Sequence, residues 1–215
     1  DITQIQRVRS YLYEYLKKNK LEAVPISWSN YICIIIPVGS TVDKLDEALD
    51  WPAMITSKEA VEGKFAISLS QGIGQVHSLA DLRHSFYQAR VALTLPKLLG
   101  KNHFVQKFSD LGIYYPIFCQ ELKEIKRFCL QTLGKIIEHD EKTDGDLLPT
   151  LRNLLDSNVN MKSTAESLFI HVNTLYYRVN KIEELLNIDF SNMDNRVNLF
   201  IAIKVWDTLN ATGLN

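Results

Sequence analysis

The stretch from Asn173 to Lys181 gathers side chains whose chemistry suits a nucleic acid. Asn173 carries a paired amide donor and acceptor that fits the edge of adenine. The hydroxyls of Thr174 and Tyr177 can reach phosphate, and Arg178 and Lys181 bring positive charge. Leu175, Val179, Ile182 and Leu186 recur at the spacing of one helical stripe, which leaves the five polar residues on the opposite or flanking faces. They cluster near the start of that helix, where the backbone dipole also favours phosphate, and His171 stands just ahead as a cap or an assisting reader. Any helical hairpin has a polar outer face, and Glu183 and Glu184 follow here. The pattern by itself therefore leaves two readings open, a DNA-reading helix and a solvated face, and it leaves Tyr176 and Tyr177 open to half-buried packing. Elsewhere no catalytic set stands out. His77, His84, His103, His139 and His171 are scattered, and Cys33, Cys119 and Cys129 form neither a CxxC pair nor an even disulfide set. Reduced thiols, no structural metal and no cofactor are the expectation.

The elements that must hold this helix are a short helix over 161–168, a connector Phe169-Ile170-His171 and the long helix over 172–186, the grammar of a helix-turn-helix. Ala165 is small where the second helix has to approach. A helix from Leu147, with Asp146 as N-cap and Pro149 in its first turn, precedes the pair, and a helix over 193–209 follows. Upstream, Leu122, Ile125, Cys129, Leu133 and Ile136 mark a connecting helix, separated by a charged loop over 139–146. The first half differs. Ile2, Ile5, Val8, Leu12, Tyr15 and Leu16 predict a helix over about 2–18. A hairpin follows, its second strand Tyr31 to Val38 expected to be buried on both faces. Helical pieces near 42–49 and 58–61, a strand over 64–70, a break at Gly72-Ile73-Gly74, a helix reaching about Leu99 and an edge strand at Phe104-Val105 complete an α+β sandwich ending near Ile113.

The 215 residues are 46% apolar and 23% charged, which excludes disorder and collagen-like repeats. With 24 Lys+Arg against 25 Asp+Glu the net charge is -1, so a charged partner must be met locally. No apolar run approaches a spanning helix, and the N-terminus lacks a secretory pattern, which predicts a soluble, cytoplasmic chain with no membrane partner.

Asn158, Thr164-Ala165, Leu168, His171 and the string Asn173-Thr-Leu-Tyr-Tyr-Arg-Val-Asn-Lys-Ile-Glu-Glu-Leu185 resemble the C-terminal helix-turn-helix of the PucR/CdaR family of bacterial transcriptional regulators. The likeness extends over about 116–210, with Tyr176 where the family often has Arg and Asn187 where Gly is common. The first half is similar to the GGDEF-like domain of the CdaR branch. Aligned on Ile32 to Pro37, the signature positions hold Trp28, Ser29, Asn30, Tyr31 and Ile32, without the glycines and carboxylates that a nucleotide cyclase requires. The family's first strand is missing before Ile2. With Asp1 in place of Met, this predicts a fragment that lacks an N-terminal, effector-sensing part.

The resemblance implies a degenerate α+β GGDEF-like domain over 1–115, a connecting helix and loop over 116–145, and an all-α helix-turn-helix domain over 146–215. The implied function is that of a DNA-binding transcriptional regulator rather than an enzyme, with His171, Asn173, Thr174, Tyr177, Arg178 and Lys181 on double-stranded DNA. The rivals are a sequence-tolerant, Fis-like architectural DNA binder and a residual nucleotide-processing activity in 1–115. The helix over 197–209 is apolar nearly all round, which predicts a homodimer to which that helix, the GGDEF-like domain or both contribute, the alternative being burial by the connecting helix of the same chain.

Overall fold

Val8, Leu12 and Leu16 recur every four residues and so share one face of helix α1 (Ile2–Lys18), where all three are buried. The computed structural model describes residues 2–38 and 51–213, and the side chains of 3–38 and 56–213; the expected helix at 42–49 lies outside them. Against α1 lies an antiparallel hairpin of β1 (Val24–Trp28) and β2 (Tyr31–Ile35), with Val24 opposite Ile35 and Trp28 opposite Tyr31. Ile32 and Ile34 pack with α1, but every residue of β2 keeps partial exposure. The expectation of a strand buried on both faces is thus corrected. Among the described residues only β1 pairs with β2, so no neighbouring strand carries cover across its second face.

Helix α2 (Trp51–Phe65) runs through 58–61 and ends by Ala66, whose φ is +50°. The expected strand over 64–70 is therefore absent: its first two residues close the helix, and Phe65, Ile67 and Leu69 join the α1 cluster without a ladder. The strand forms instead on the expected break, as β3 (Gln71–Ile73), parallel to β4 (Val105–Lys107) with Gly72 opposite Gln106. The reason is the facing helix α3 (Leu82–Leu98). A Cβ on Gly72 would stand 2.2 Å from the carbonyl oxygen of Ala89, and one on Gly74 would stand 2.0 Å from that of Ser85. Here the glycines permit close backbone approach and do not mark a turn. Among the described residues two separate two-stranded sheets result, amid mostly helical elements, where an α+β sandwich was expected.

A second core joins Val91, Ala92 and Leu95 of α3 to Phe108, to Tyr114 and Phe118 of α4 (Tyr114–Phe118), to Ile125 and Cys129 of α5 (Leu122–Thr143), and to Val205 and Leu209 of α9 (Met193–Thr212). Helix α5 continues to Thr143, inside the expected charged loop, because Asp140 has work on it. Its carboxylate accepts from the backbone N–H groups of Leu147 at 3.0 Å and Leu148 at 2.7 Å, capping α6 (Leu147–Asp156) across the turn. Asp146 occupies the N-cap position but makes no such bond, which corrects its expected role.

The third core lies among α5, α6, α7 (Met161–Ser167), α8 (Val172–Leu186) and α9. Helix α9 is buried by its own chain, against α5 and α6 on one side and α3 on the other. Lys204, 4% exposed, donates to Oδ1 of Asp156 at 2.8 Å and to the Leu98 carbonyl at 3.4 Å. The apolar surface of α9 is thus covered in large part within the chain, while Val197 keeps 40% exposure. Among the described residues no helix is long and apolar enough to cross a membrane.

Candidate nucleic-acid interface

Helix α7 starts with Asn160, whose side chain accepts from the Ser163 N–H at 3.0 Å, and it buries Thr164 and Ala165 toward α8. The small Ala165 thus lies where the sequence placed a close approach. The chain then reverses at Phe169, whose φ of +55° is the left-handed position that glycine often fills in such connectors, and Ile170 N–H returns to the Ala165 carbonyl at 3.1 Å. Phe169 is 96% exposed, so nothing packs its ring in return.

Helix α8 is capped by His171, whose Nδ1 accepts from the Asn173 N–H at 3.2 Å. Leu175, Val179 and Ile182 are buried in the third core with Leu151 and Leu154 of α6 and with Leu199 and Ile203 of α9. One side of α8 is fully used in packing. The other presents Asn173 and Thr174, both exposed, then Tyr176 at 52% and Tyr177 at 70% exposure, then Asn180. Tyr177 stands out into solvent, whereas Tyr176 stays half-buried. Asn187 ends the helix at φ +53°, the left-handed conformation that Asn tolerates next best after Gly.

The charges are arranged differently from the expectation. Arg178 is only 22% exposed and turns toward α6: Nη2 donates to Oδ2 of Asp146 at 2.9 Å and Nη1 to Oγ1 of Thr150 at 3.1 Å. It is not presented outward as the stripe suggested, because Asp146, freed from capping by Asp140, offers it a partner. Lys181 pairs with Glu184 at 2.8 Å, and that hydrogen bond raises the lysine pKa above its usual value. Glu183 accepts from the Phe190 N–H at 2.8 Å and so holds the loop after α8. Lys162, exposed on the second position of α7, is a cation that the sequence reading passed over; its signal was its place in the first helix of the pair. Over 146–215 six basic residues meet eight acidic ones, so this domain carries no positive excess.

Residues 147–205 match the family described as the PucR C-terminal helix-turn-helix domain. The chain is 25% identical over 175 residues to the DNA-binding transcriptional activator AdeR of Bacillus subtilis, covering 80% of this chain and 42% of AdeR. It is 32% identical over 135 residues to the proline-responsive transcriptional activator PutR of the same organism, covering 61% and 33%. The chain thus spans less than half the length of these relatives. A solved regulator of polyketide synthase expression from Bifidobacterium adolescentis aligns with 93% of this chain and 74% of its own at 16% identity, with a TM-score of 0.33, too loose a fit to carry an argument. The helices that cap, turn and expose Asn173, Thr174 and Tyr177 are accordingly those of a PucR-type helix-turn-helix domain, the family to which residues 147–205 belong.

Proposed function

We propose that this chain is the DNA-binding part of a PucR/CdaR-type bacterial transcriptional regulator and acts by laying α8 in the major groove. The observation that carries the reading is the exposed row Asn173, Thr174 and Tyr177 on a helix whose opposite side is locked into the core of a matched helix-turn-helix. Asn173 and Thr174 meet base edges at the groove-facing start of α8, with His171 fixing that start as its cap. Tyr177 reaches phosphate through its hydroxyl. Lys181 does so by exchanging Glu184 for phosphate, and Lys162 adds a contact from α7. Arg178 meets phosphate only by leaving Asp146 and Thr150.

Binding is by a cytoplasmic homodimer spanning two half-sites, since twofold pairing supplies the two reading helices of a palindrome. The dimer contacts lie in the first half, in the exposed part of α9 around Val197, or in both. Residues 1–115 form a degenerate GGDEF-like domain that relays a signal and catalyses nothing, in keeping with Trp28 to Ile32 at the signature positions. The effector is a small molecule sensed by a domain outside this chain.

The test is selection of duplexes from a random library by the purified chain. A palindromic site is expected to emerge, and Asn173→Ala should relax one position of each half-site, where a bidentate contact is worth about 1–3 kcal/mol. With no positive excess in the domain, the salt dependence should be shallower than that of proteins that neutralise roughly 6–10 phosphates. Enrichment of no sequence, with tight binding to all DNA, would establish the architectural reading instead. Turnover of GTP with Mg²⁺, lost on mutation within 28–32, would restore an enzymatic one.

A further inference from the structure

Arg178 lies on the helix that reads DNA, yet its guanidinium faces the protein. Two acceptors of α6 meet its fork, Asp146 Oδ2 at 2.9 Å and Thr150 Oγ1 at 3.1 Å. Both are prepared for it. Thr150 is 0% exposed and donates its own hydroxyl proton to the Asp146 carbonyl at 2.6 Å, which leaves a hydroxyl lone pair for the guanidinium. Asp146 stands at the N-cap of α6, where its carboxylate would ordinarily bind the helix's first N–H groups, but Asp140 has taken them. The result is a relay from α5 through the start of α6 to the middle of α8.

We propose that Arg178 is a positioning residue, a clamp that fixes the pitch of the reading helix against α6, and not a phosphate contact. The inference rests on the DNA-binding reading above. The planar guanidinium presents its two N–H donors in a rigid fork that spans these two acceptors, whereas a lysine in its place offers a point charge on a flexible stem without that fixed geometry, and the difference supplies the test. A phosphate contact needs only the charge.

The probes are a duplex selected from a random library by the wild-type chain and a scrambled duplex of equal length, each titrated over a range of salt. If Arg178 is a clamp, Arg178→Lys and Arg178→Ala both weaken the selected duplex by about two- to fivefold, the range of a partly exposed ion pair. The scrambled duplex is nearly unaffected and the slope of log K against log salt is unchanged. Asp146→Ala and Thr150→Val reproduce the loss, and adding either to Arg178→Ala costs little more. A slope reduced by about one in Arg178→Ala, rescue by Lys, or tighter binding in Asp146→Ala overturns the clamp in favour of a phosphate contact. Amide hydrogen exchange without DNA separates the two hypotheses. The clamp predicts faster exchange in α8, with α9 unchanged, in Arg178→Lys and Asp146→Ala alike. Unchanged exchange overturns the clamp whatever the DNA result, and a wild type that selects no duplex while exchange rises sinks the DNA-binding reading and leaves the clamp a packing device only.

Discussion

The two halves of the chain hold their elements together by opposite means. In the first, β3 is pressed onto α3 through two positions without side chains, and an added Cβ would collide with backbone atoms. In the second, side chains do the holding: Asp140, Asn160, His171 and Asn192 cap helices, and Arg152 pairs with Asp207 at 2.6 Å. Close backbone approach tolerates no enlargement, while caps and pairs yield in small steps. The first half should therefore respond to volume at its glycines and the second to chemistry at its surface pairs and caps, with the buried side chains of its cores as the volume-sensitive part.

The strongest challenge to this contrast is Leu175→Ala, which empties a fully buried position in the third core. A loss of about 2–5 kcal/mol in urea unfolding is expected, with DNA binding lost in parallel. Gly72→Ala should follow, at roughly 1–3 kcal/mol or more, because the obstacles are the Ala89 carbonyl and the Leu93 nitrogen and not a side chain that can swing away. A neutral Gly72→Ala would mean that β3 does not lie against α3. Gly134 is the counterpart inside α5, with nothing within 4 Å of an added Cβ, so Gly134→Ala should stabilise by about 0.5–1 kcal/mol.

The smallest effect is chemical. Burial pushes the Cys129 thiol up to about 12, while Cys119 is exposed. Iodoacetamide at pH 8 should modify Cys119 and spare Cys129, as read by mass spectrometry. Because the folded pKa is the raised one, Cys129 favours the folded state below the pKa of the unfolded thiol. That contribution is lost as pH rises from there toward 12, and Cys129→Ala should remove this part of the alkaline decline. Rapid modification of Cys129 in the native protein would show that the second core opens.

How far the sequence could be read follows the same division. The stripe Leu175, Val179, Ile182 located α8 because a single-period pattern is a local property, and the boundaries at Val172 and Leu186 follow from it. The glycines at 72 and 74 read as punctuation because their purpose lies on a helix, at Ala89 and Ser85, 17 and 11 positions away. Asp140 caps a helix seven residues downstream, and Arg178 finds partners 32 and 28 residues upstream. No spacing rule encodes such pairings, so residue type announced a charged contact at Arg178 without saying with whom. Asn173, Thr174 and Tyr177 needed only exposure, which the stripe supplies by exclusion.

Lys204 gives the junction between the halves a mechanical character. An ammonium buried this deeply is costly unless its partners stay within reach, and here they are the last carbonyl of α3 and the last carboxylate of α6. Sliding α3 away from α6 would strand the charge, whereas turning both about the lysine would not. The joint thus resists separation of α3 from α6. Through it the first half is tied to α6, the helix against which α8 packs, so a displacement of α3 reaches α8 by way of one buried lysine.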